Sequence, residues 1–289
     1  MELAKRLVVA IIAIPLIVGL VLWASPLHFF LVLGVLVLLA QYEFYRLFPS
    51  IPFDSGIWMG LSSGIGFFYV IYLKSVGSVP PETLDSVLLL LFLTALGGTL
   101  FSGGIERMGH LPVVWLGIMY VPFLMGTLLL IRGIPGGAGW IIYLLALTWI
   151  VDAGGYFVGK GLGRNKMAPT ISPGKTWEGA VGGAVLGIIF SVAVTRYLPG
   201  HTSRVAMLCI GGLLSVTGQI GDLVESAFKR QAGVKDSGQL FPGHGGILDK
   251  VDSLLFNAPV LYGILIFYEG LSSPVDPRMA SSVLFFRLP

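Results

Sequence analysis

The stretch Leu111–Ile131, LPVVWLGIMYVPFLMGTLLLI, contains no Asp, Glu, Lys, Arg or His. A helix that crosses the hydrocarbon core of a bilayer needs about 20 mostly apolar residues. Only helices and closed barrels satisfy their backbone polar groups in lipid, and this stretch shows no period of two. We therefore interpret it as a membrane-spanning helix.

Eight similar apolar runs surround this stretch, and the composition of the whole chain agrees with them. Of its 289 residues 55% are hydrophobic and only 11% are charged, with a mean hydropathy of +0.88, whereas a soluble domain carries about 25% charged residues. One cysteine, Cys209, excludes a disulfide framework. We predict an all-α integral membrane protein, a polytopic bundle of about nine transmembrane helices with a polar cavity open to the cytoplasm. The predicted spans are 7–23, 29–45, 57–73, 84–101, 111–131, 140–158, 179–197, 205–224 and 251–269.

Lys and Arg indicate the orientation of these spans. One face receives the N-terminus and the segments after the even-numbered spans, and it holds twelve of the 18 basic residues. Because cytoplasmic segments carry an excess of Lys and Arg, we expect this face in the cytoplasm and the protein in the cytoplasmic (inner) membrane, as a multi-pass protein. The first run is longer than the apolar part of a typical signal peptide, so we expect it to be retained as a span.

The two halves of the chain differ in their ionisable residues. Spans one to five, within a predicted region 1–135, carry almost none apart from Glu43, which we interpret as an interfacial polar group rather than a ligand. Region 136–270 carries Asp152, Asp222 and further carboxylates in or beside apolar runs. Ionisable groups at membrane depth are costly and usually functional, so we place the chemistry in this second region. A C-terminal tail, 271–289, has no assigned role.

The densest polar stretch runs from Glu225 to Asp252. Asp249 and Asp252 are three residues apart, a spacing that puts both on one face of a helix, and Asp222 could approach them from the preceding span. Oxygen ligands without cysteine suit Mg²⁺, and Mg²⁺ beside Lys and Arg is typical of sites for polyphosphate substrates. The alternative is a basic cytoplasmic loop whose carboxylates merely pair with its cations; three carboxylates at membrane depth favour the metal site.

A second polar stretch, 159–179, reads GKGLGRNKMAPTISPGKTWEG. It lacks the spacing of a nucleotide-binding P-loop, but Lys175 and Thr176 precede a helix whose N-terminus can bind an anion. Asp152, in the span before it, is equally compatible with a wall of the polar cavity and with a carboxylate bonded inside the bundle. The G-x-x-x-G repeat of Gly179, Gly183 and Gly187 allows close helix approach; packing inside one bundle is slightly favoured over a dimer interface.

The segment from Ser226 to Asp252 resembles the signature of the phosphatidate cytidylyltransferases, or CDP-diacylglycerol synthases, S-x-[apolar]-K-R-x₄-K-D-x-[small]-x₂-[apolar]-[PGS]-x-H-G-G-[apolar]-x-D-R-x-D. The residues in register are Ser226, Lys229, Arg230, Lys235, Asp236, Gly238, Phe241, Pro242, His244, Gly245, Gly246, Asp249 and Asp252. The segments SPGKTWEG and DAGGYFVGKGLG are similar to the family's preceding stretches. Lys250 departs from the family's arginine: it keeps the charge but lacks the bidentate geometry of a guanidinium.

This resemblance implies a membrane enzyme that joins CTP to phosphatidic acid and releases pyrophosphate and CDP-diacylglycerol. It also implies dependence on Mg²⁺, a possible monovalent cation such as K⁺, and a homodimer. The expected partners are the two substrates and the bilayer, without nucleic acid. The expected roles fall into three groups: Mg²⁺ ligands Asp222, Asp249 and Asp252; catalytic residues Asp249, Asp252, Lys229 and Arg230; and substrate-binding residues Lys175, Thr176, Lys235, Asp236, His244, Gly245, Gly246 and Lys250.

Two alternatives remain at this point. One is a CTP-dependent enzyme acting on another lipid, such as an isoprenoid alcohol kinase or an archaeol-type cytidylyltransferase. The other is a transporter in which the intramembrane Asp residues are ion sites. Against the transporter, the chain shows no clear inverted repeat, and its polar residues are concentrated on one predicted face.

Overall fold

The computed structural model describes residues 2–48, 56–199, 202–238, 240 and 245–272, with the backbone alone for 2–12, 98–108 and 269–272. Helices account for most of these residues, because long apolar runs satisfy their backbone within each segment. They are α1 (Glu2–Trp23), α2 (Pro26–Arg46), α3 (Gly56–Ser75), α4 (Thr83–Met108), α5 (Leu111–Ile118), α6 (Leu124–Gly133), α7 (Gly137–Leu162), α8 (Trp177–Val194), α9 (Arg204–Gln231) and α10 (Leu248–Ser272).

Within the described part of the chain, seven helical segments are long and apolar enough to cross a membrane. They are α2, α3, the continuous segment of α5 and α6, and α7 to α10. The other two predicted spans lie in α1 and α4, whose described apolar stretches, Ala13–Trp23 and Thr83–Gly97, are shorter. The prediction of a polytopic helical membrane protein is confirmed, while the number nine stays a prediction. The predicted tail lies outside the described residues from position 273 onward.

Helix α9 is longer than the span predicted for it. We predicted a span that ends at Val224, with Lys229 and Arg230 in the loop that follows, but the helix continues to Gln231. The apolar run ends before the helix does, because Glu, Ala, Lys, Arg and Gln are good helix formers at a polar surface. Gly233, with a φ of 72°, then ends the helix, and the Val234 amide donates to the Lys229 carbonyl at 2.9 Å, as in a Schellman motif.

A two-stranded hairpin is the exception to the all-α prediction. Strands β1 (Lys166–Ala168) and β2 (Ser172–Thr176) pair antiparallel between α7 and α8. Proline lacks an amide hydrogen and disfavours a helix, so the two prolines Pro169 and Pro173, four positions apart, help to keep this polar segment out of one. The hairpin ends directly at α8, where the Thr176 hydroxyl accepts from the Gly179 amide at 3.2 Å and caps the helix.

Helices α7, α8 and α9 pack side by side in chain order. The glycine repeat of α8 makes this packing close: a Cβ placed on Gly183 would lie 2.6 Å from the Val151 carbonyl oxygen of α7. Gly179 and Gly187 are buried in the same contact region. The interpretation of the repeat as packing within one bundle is therefore supported over a dimer interface.

Helix α10 connects this group to the first half of the chain, since it contacts α9 and α7 as well as α6 and α2. Between α5 and α6 the helix widens into a π-helical turn, Met119–Phe123, which contains Pro122. Tyr120 of this turn forms an aromatic cluster with Phe44 of α2 and Phe228 of α9, with ring centroids 5.3 to 5.5 Å apart. Phe228 directly precedes Lys229 in the sequence. The cluster therefore packs this part of α9 against the first half of the chain.

Candidate active site

Lys229 is the centre of the candidate site. From the last turns of α9 its Nζ lies 2.6 Å from Asp249 Oδ1 in the first turn of α10. It also forms an ion pair with Glu225, one turn earlier on α9. The Glu225 side chain is fully buried and those of Lys229 and Asp249 are 12% and 9% exposed. A buried cation between two carboxylates is a strongly coupled arrangement, because removing it leaves uncompensated charge.

The loop before α10 holds the second oxygen of Asp249. Asp249 Oδ2 accepts from the Gly246 amide at 2.7 Å and from the amide and hydroxyl of Ser237 at 3.0 and 2.9 Å. Gly245 has a φ of 82°, a conformation that favours glycine. The predicted residues Gly245, Gly246 and Asp249 therefore come together, and both oxygens of Asp249 are occupied by protein groups.

The hairpin supplies a second ion pair to the same end of the bundle. Lys175 Nζ on β2 lies 2.6 Å from Asp222 Oδ2 on α9, with both side chains about a quarter exposed, 26% and 30%. Glu178, in the first turn of α8, accepts from the amides of Arg164 and Asn165 and closes the hairpin against the helix. The two polar stretches of the sequence, 159–179 and 225–252, are in direct contact through Arg230, which donates to the Ile171 carbonyl.

Three carboxylates lie within electrostatic range of one another near these pairs. Asp252 of α10 interacts with Asp222 and Asp152, and Asp152 interacts with Lys175. Asp152 is exposed, and its interpretation as a wall of the polar cavity stays a prediction. Among the described residues no three acidic, His or Cys side chains are placed to hold one metal ion.

The remaining predicted residues lie at the periphery of this cluster or outside the described part. Arg230 donates to the carbonyls of Ile171 and Val234, both at 3.0 Å, and so connects α9 to the hairpin. Lys235, Asp236 and Lys250 are exposed around it. His244 lies outside the described residues, so its predicted role stays a prediction.

Sequence reasoning missed Glu43, which we interpreted as an interfacial polar group. It is 8% exposed and accepts hydrogen bonds from Ser237, Ile247 and Leu248 at the start of α10. The available signal was a carboxylate inside an apolar run, which by default suggests a functional site. Glu225 and Ser237 were likewise not assigned roles, because nothing local in the sequence shows which partner they face.

Comparison with known proteins places the chain in a family. The model of the cytidylyltransferase family matches residues 4–268. The phosphatidate cytidylyltransferase of Bacillus subtilis (strain 168) is 41% identical over 187 residues, 64% of this chain and 68% of that protein. The phosphatidate cytidylyltransferase of Staphylococcus saprophyticus is 35% identical over 224 residues, which are 76% of this chain and 81% of that protein. That of Staphylococcus aureus (strain COL) is 45% identical over 130 residues, about half of each chain. This chain belongs to the cytidylyltransferase family.

Proposed function

We propose that the protein is a membrane phosphatidate cytidylyltransferase that makes CDP-diacylglycerol and pyrophosphate from CTP and phosphatidic acid. Curated relatives with this name support the reaction. The structural observation that carries it is the convergence of two lysine–carboxylate pairs, Lys229–Asp249 and Lys175–Asp222, from α9, α10 and the hairpin. Each lysine is paired with a carboxylate, so a phosphate group would bind it by displacing that carboxylate.

The chemistry of the substrates defines what the protein must do. An oxygen of the lipid phosphate attacks the α-phosphorus of CTP, a new phosphoanhydride bond forms, and the bond to the β-phosphate breaks to release pyrophosphate. The lipid phosphate is already anionic at neutral pH, so a strong general base is not required. The main barrier is the approach of two anions, which positioning and charge neutralisation lower. In this proposal Lys229 and Lys175 hold phosphate oxygens and orient them.

The donor set fits a magnesium ion. Mg²⁺ is commonly held by one or two carboxylates together with substrate phosphates and water, so a third protein ligand is not needed. Asp222 and Asp252, which lie within electrostatic range of each other, are the proposed ligands. Asp249, predicted as a third ligand, would have to leave Lys229 or its loop donors to join them. When bound, Mg²⁺ neutralises phosphate charge; a monovalent cation such as K⁺ is proposed as a second cation in addition to it.

The location of the site suits a lipid substrate and a soluble one. The Lys and Arg distribution supports an active site that faces the cytoplasm from the inner membrane. There the acyl chains of phosphatidic acid stay in lipid while CTP arrives from water. A homodimer, implied by the family resemblance, is part of the same proposal.

The test is pyrophosphate release by the purified full-length protein in mixed micelles. CTP, Mg²⁺, K⁺ and phosphatidic acid are each omitted in turn. We expect release only when CTP, Mg²⁺ and phosphatidic acid are all present, with one CDP-diacylglycerol formed for each pyrophosphate. Release with an isoprenoid alcohol or archaeol-type lipid but not with phosphatidic acid would move the substrate to another lipid. No release from folded protein, together with CTP-independent ion flux in vesicles, would instead support a transporter.

A further inference from the structure

Glu43 connects the first half of the chain to the start of α10. Its Oε1 accepts from the Ile247 amide at 3.1 Å and its Oε2 from the Leu248 amide at 2.8 Å. These amides belong to the N-terminal end of α10, which lacks intrahelical acceptors and carries a partial positive charge. A carboxylate from α2 therefore caps the helix that carries Asp249 and Asp252.

The contact continues from Glu43 to the ion pair of the candidate site. The Ser237 hydroxyl lies 3.1 Å from Glu43 Oε2 and 2.9 Å from Asp249 Oδ2. Asp249 in turn pairs with Lys229. A serine hydroxyl has one hydrogen and so donates to one of the two carboxylates at a time. Backbone amides also donate to each carboxylate, so neither is left without a donor. Glu43, Ser237, Asp249 and Lys229 thus form one polar network across three helices.

Two glycines leave the space that Glu43 occupies. A Cβ on Gly238 would lie 2.8 Å from Glu43 Cδ, and one on Gly246 would lie 2.5 Å from the same atom. Real Cβ atoms do not approach other atoms this closely, so neither position can carry a larger residue unless Glu43 moves. Gly238 and Gly246, both in the described part of the segment before α10, therefore lie directly against this carboxylate.

We propose that Glu43 is a positioning residue for cytidylyl transfer: it holds Ser237 and the first turn of α10 so that Asp249 and Lys229 meet in the reactive arrangement. The inference rests on the proposed function of the same site. Burying a carboxylate is costly unless it is fully hydrogen-bonded. A tether between α2 and α10 alone could be built from apolar side chains, whereas a carboxylate also fixes the Ile247 and Leu248 amides just before Asp249 and the Ser237 hydroxyl that also reaches Asp249.

The decisive variant is Glu43→Gln in the full-length protein. Glutamine keeps the volume but replaces one acceptor oxygen with an NH₂ group, which in either orientation faces a backbone N–H of Ile247 or Leu248. We expect kcat to fall by about tenfold or more while the KM values for CTP and phosphatidic acid stay within about threefold, because the loss concerns alignment in the transition state rather than binding. Glu43→Asp, one methylene shorter, should fall between the wild type and Glu43→Gln.

Gln41→Leu is the matched control for lost stability. Gln41 is also buried on α2, but it donates to Tyr45 Oη and the Gly60 carbonyl, both at 2.9 Å, away from the site. Both variants should lower the unfolding temperature, and only Glu43→Gln should lower the kcat of the folded enzyme. Equal kcat values for Glu43→Gln and Gln41→Leu, corrected for folded protein, would overturn the proposal and leave Glu43 a packing residue.

Ser237→Ala keeps the proposal testable if Glu43→Gln does not fold. It removes only the hydroxyl between the two carboxylates, and we expect it to lower kcat and to show a non-additive effect when combined with Glu43→Asp. Wild-type kcat for Ser237→Ala, or full additivity in the pair, would overturn the network. Inactivity of the wild type measured in parallel would refute the proposed function itself, so the two failures are distinguishable.

Discussion

At the scale of single residues, the position of Lys229 between Glu225 and Asp249 determines the character of the site. Breaking a buried ion pair by removing one partner costs about 3–5 kcal/mol, because the remaining charge has no compensation. The same cation is the one that the proposed mechanism uses to hold a phosphate group. Its removal should therefore affect both stability and turnover.

We predict that Lys229→Met lowers the unfolding temperature and abolishes pyrophosphate release, while Lys229→Arg retains the fold and part of the activity. The measurements are a thermal unfolding curve and a steady-state assay on the same preparation. Lys74→Met, at the end of α3, is the control for loss of a lysine outside the site. Near-wild-type turnover in folded Lys229→Met would contradict this role.

Lys175 gives a second prediction, for binding. A hydrogen bond to a charged group contributes about 1.5–3 kcal/mol, which corresponds to about ten- to a hundredfold. Lys175→Met should reduce kcat/KM by that factor without unfolding the protein, since its pair with Asp222 is partly exposed. The measurement is kcat/KM for CTP and for phosphatidic acid, and Lys166→Met on β1 is the control variant. An equal loss in both variants would mean that only the overall charge of the hairpin matters.

Metal dependence follows from Asp222 and Asp252. If these two carboxylates hold Mg²⁺, Asp222→Asn and Asp252→Asn should each raise the Mg²⁺ concentration for half-maximal activity by about tenfold or more, the effect expected for the loss of a charged interaction. Asp85 is exposed in the first turn of α4, and Asp85→Asn should leave the Mg²⁺ concentration for half-maximal activity unchanged. A Mg²⁺ titration of the wild type and the three variants measures this. Unaltered Mg²⁺ dependence in both site variants would exclude them as ligands.

At the scale of helices and strands, the glycines Gly179, Gly183 and Gly187 of α8 allow close packing against neighbouring helices. Gly183→Leu would force a side chain into the Val151 carbonyl of α7, and overpacking of this kind costs about 1–3 kcal/mol or more. We expect a lower unfolding temperature and a lower yield of folded protein. Gly161→Leu, at a position with open space, is the matched control. Equal stability of the two variants would contradict close packing of α7 and α8.

The elements also show what the sequence could and could not predict. Apolar runs long enough for a bilayer predicted the helices well, because the bilayer imposes one solution on them. The extension of α9 to Gln231 was missed because hydropathy reports the membrane boundary rather than the helix end. The cluster around Asp249 was predicted from its motif, whereas its contact with Glu43 was not, since the partners are some 200 positions apart and depend on how α2 packs against α10.

At the scale of the whole molecule, α10 joins the two halves and the hairpin lies at the end of the bundle that carries the candidate site. Gly174, exposed on β2 with open space around it, offers a position to test orientation. In a Cys209→Ser background, Gly174→Cys should react with a membrane-impermeant maleimide in inside-out vesicles and not in intact spheroplasts. The labelled fraction is read on a gel. Labelling from the outside would place the site on the other face.

In the proposed function, the cluster of Lys229, Asp249 and their neighbours carries out cytidylyl transfer to phosphatidic acid. The most direct test is the amount of CDP-diacylglycerol, identified by mass spectrometry, that purified wild type, Asp249→Asn and Asp85→Asn form from CTP and phosphatidic acid with Mg²⁺. We expect product from the wild type and Asp85→Asn, and a loss of at least about a hundredfold in folded Asp249→Asn, because Lys229 loses the partner that orients it. Equal product from all three proteins would contradict this proposal.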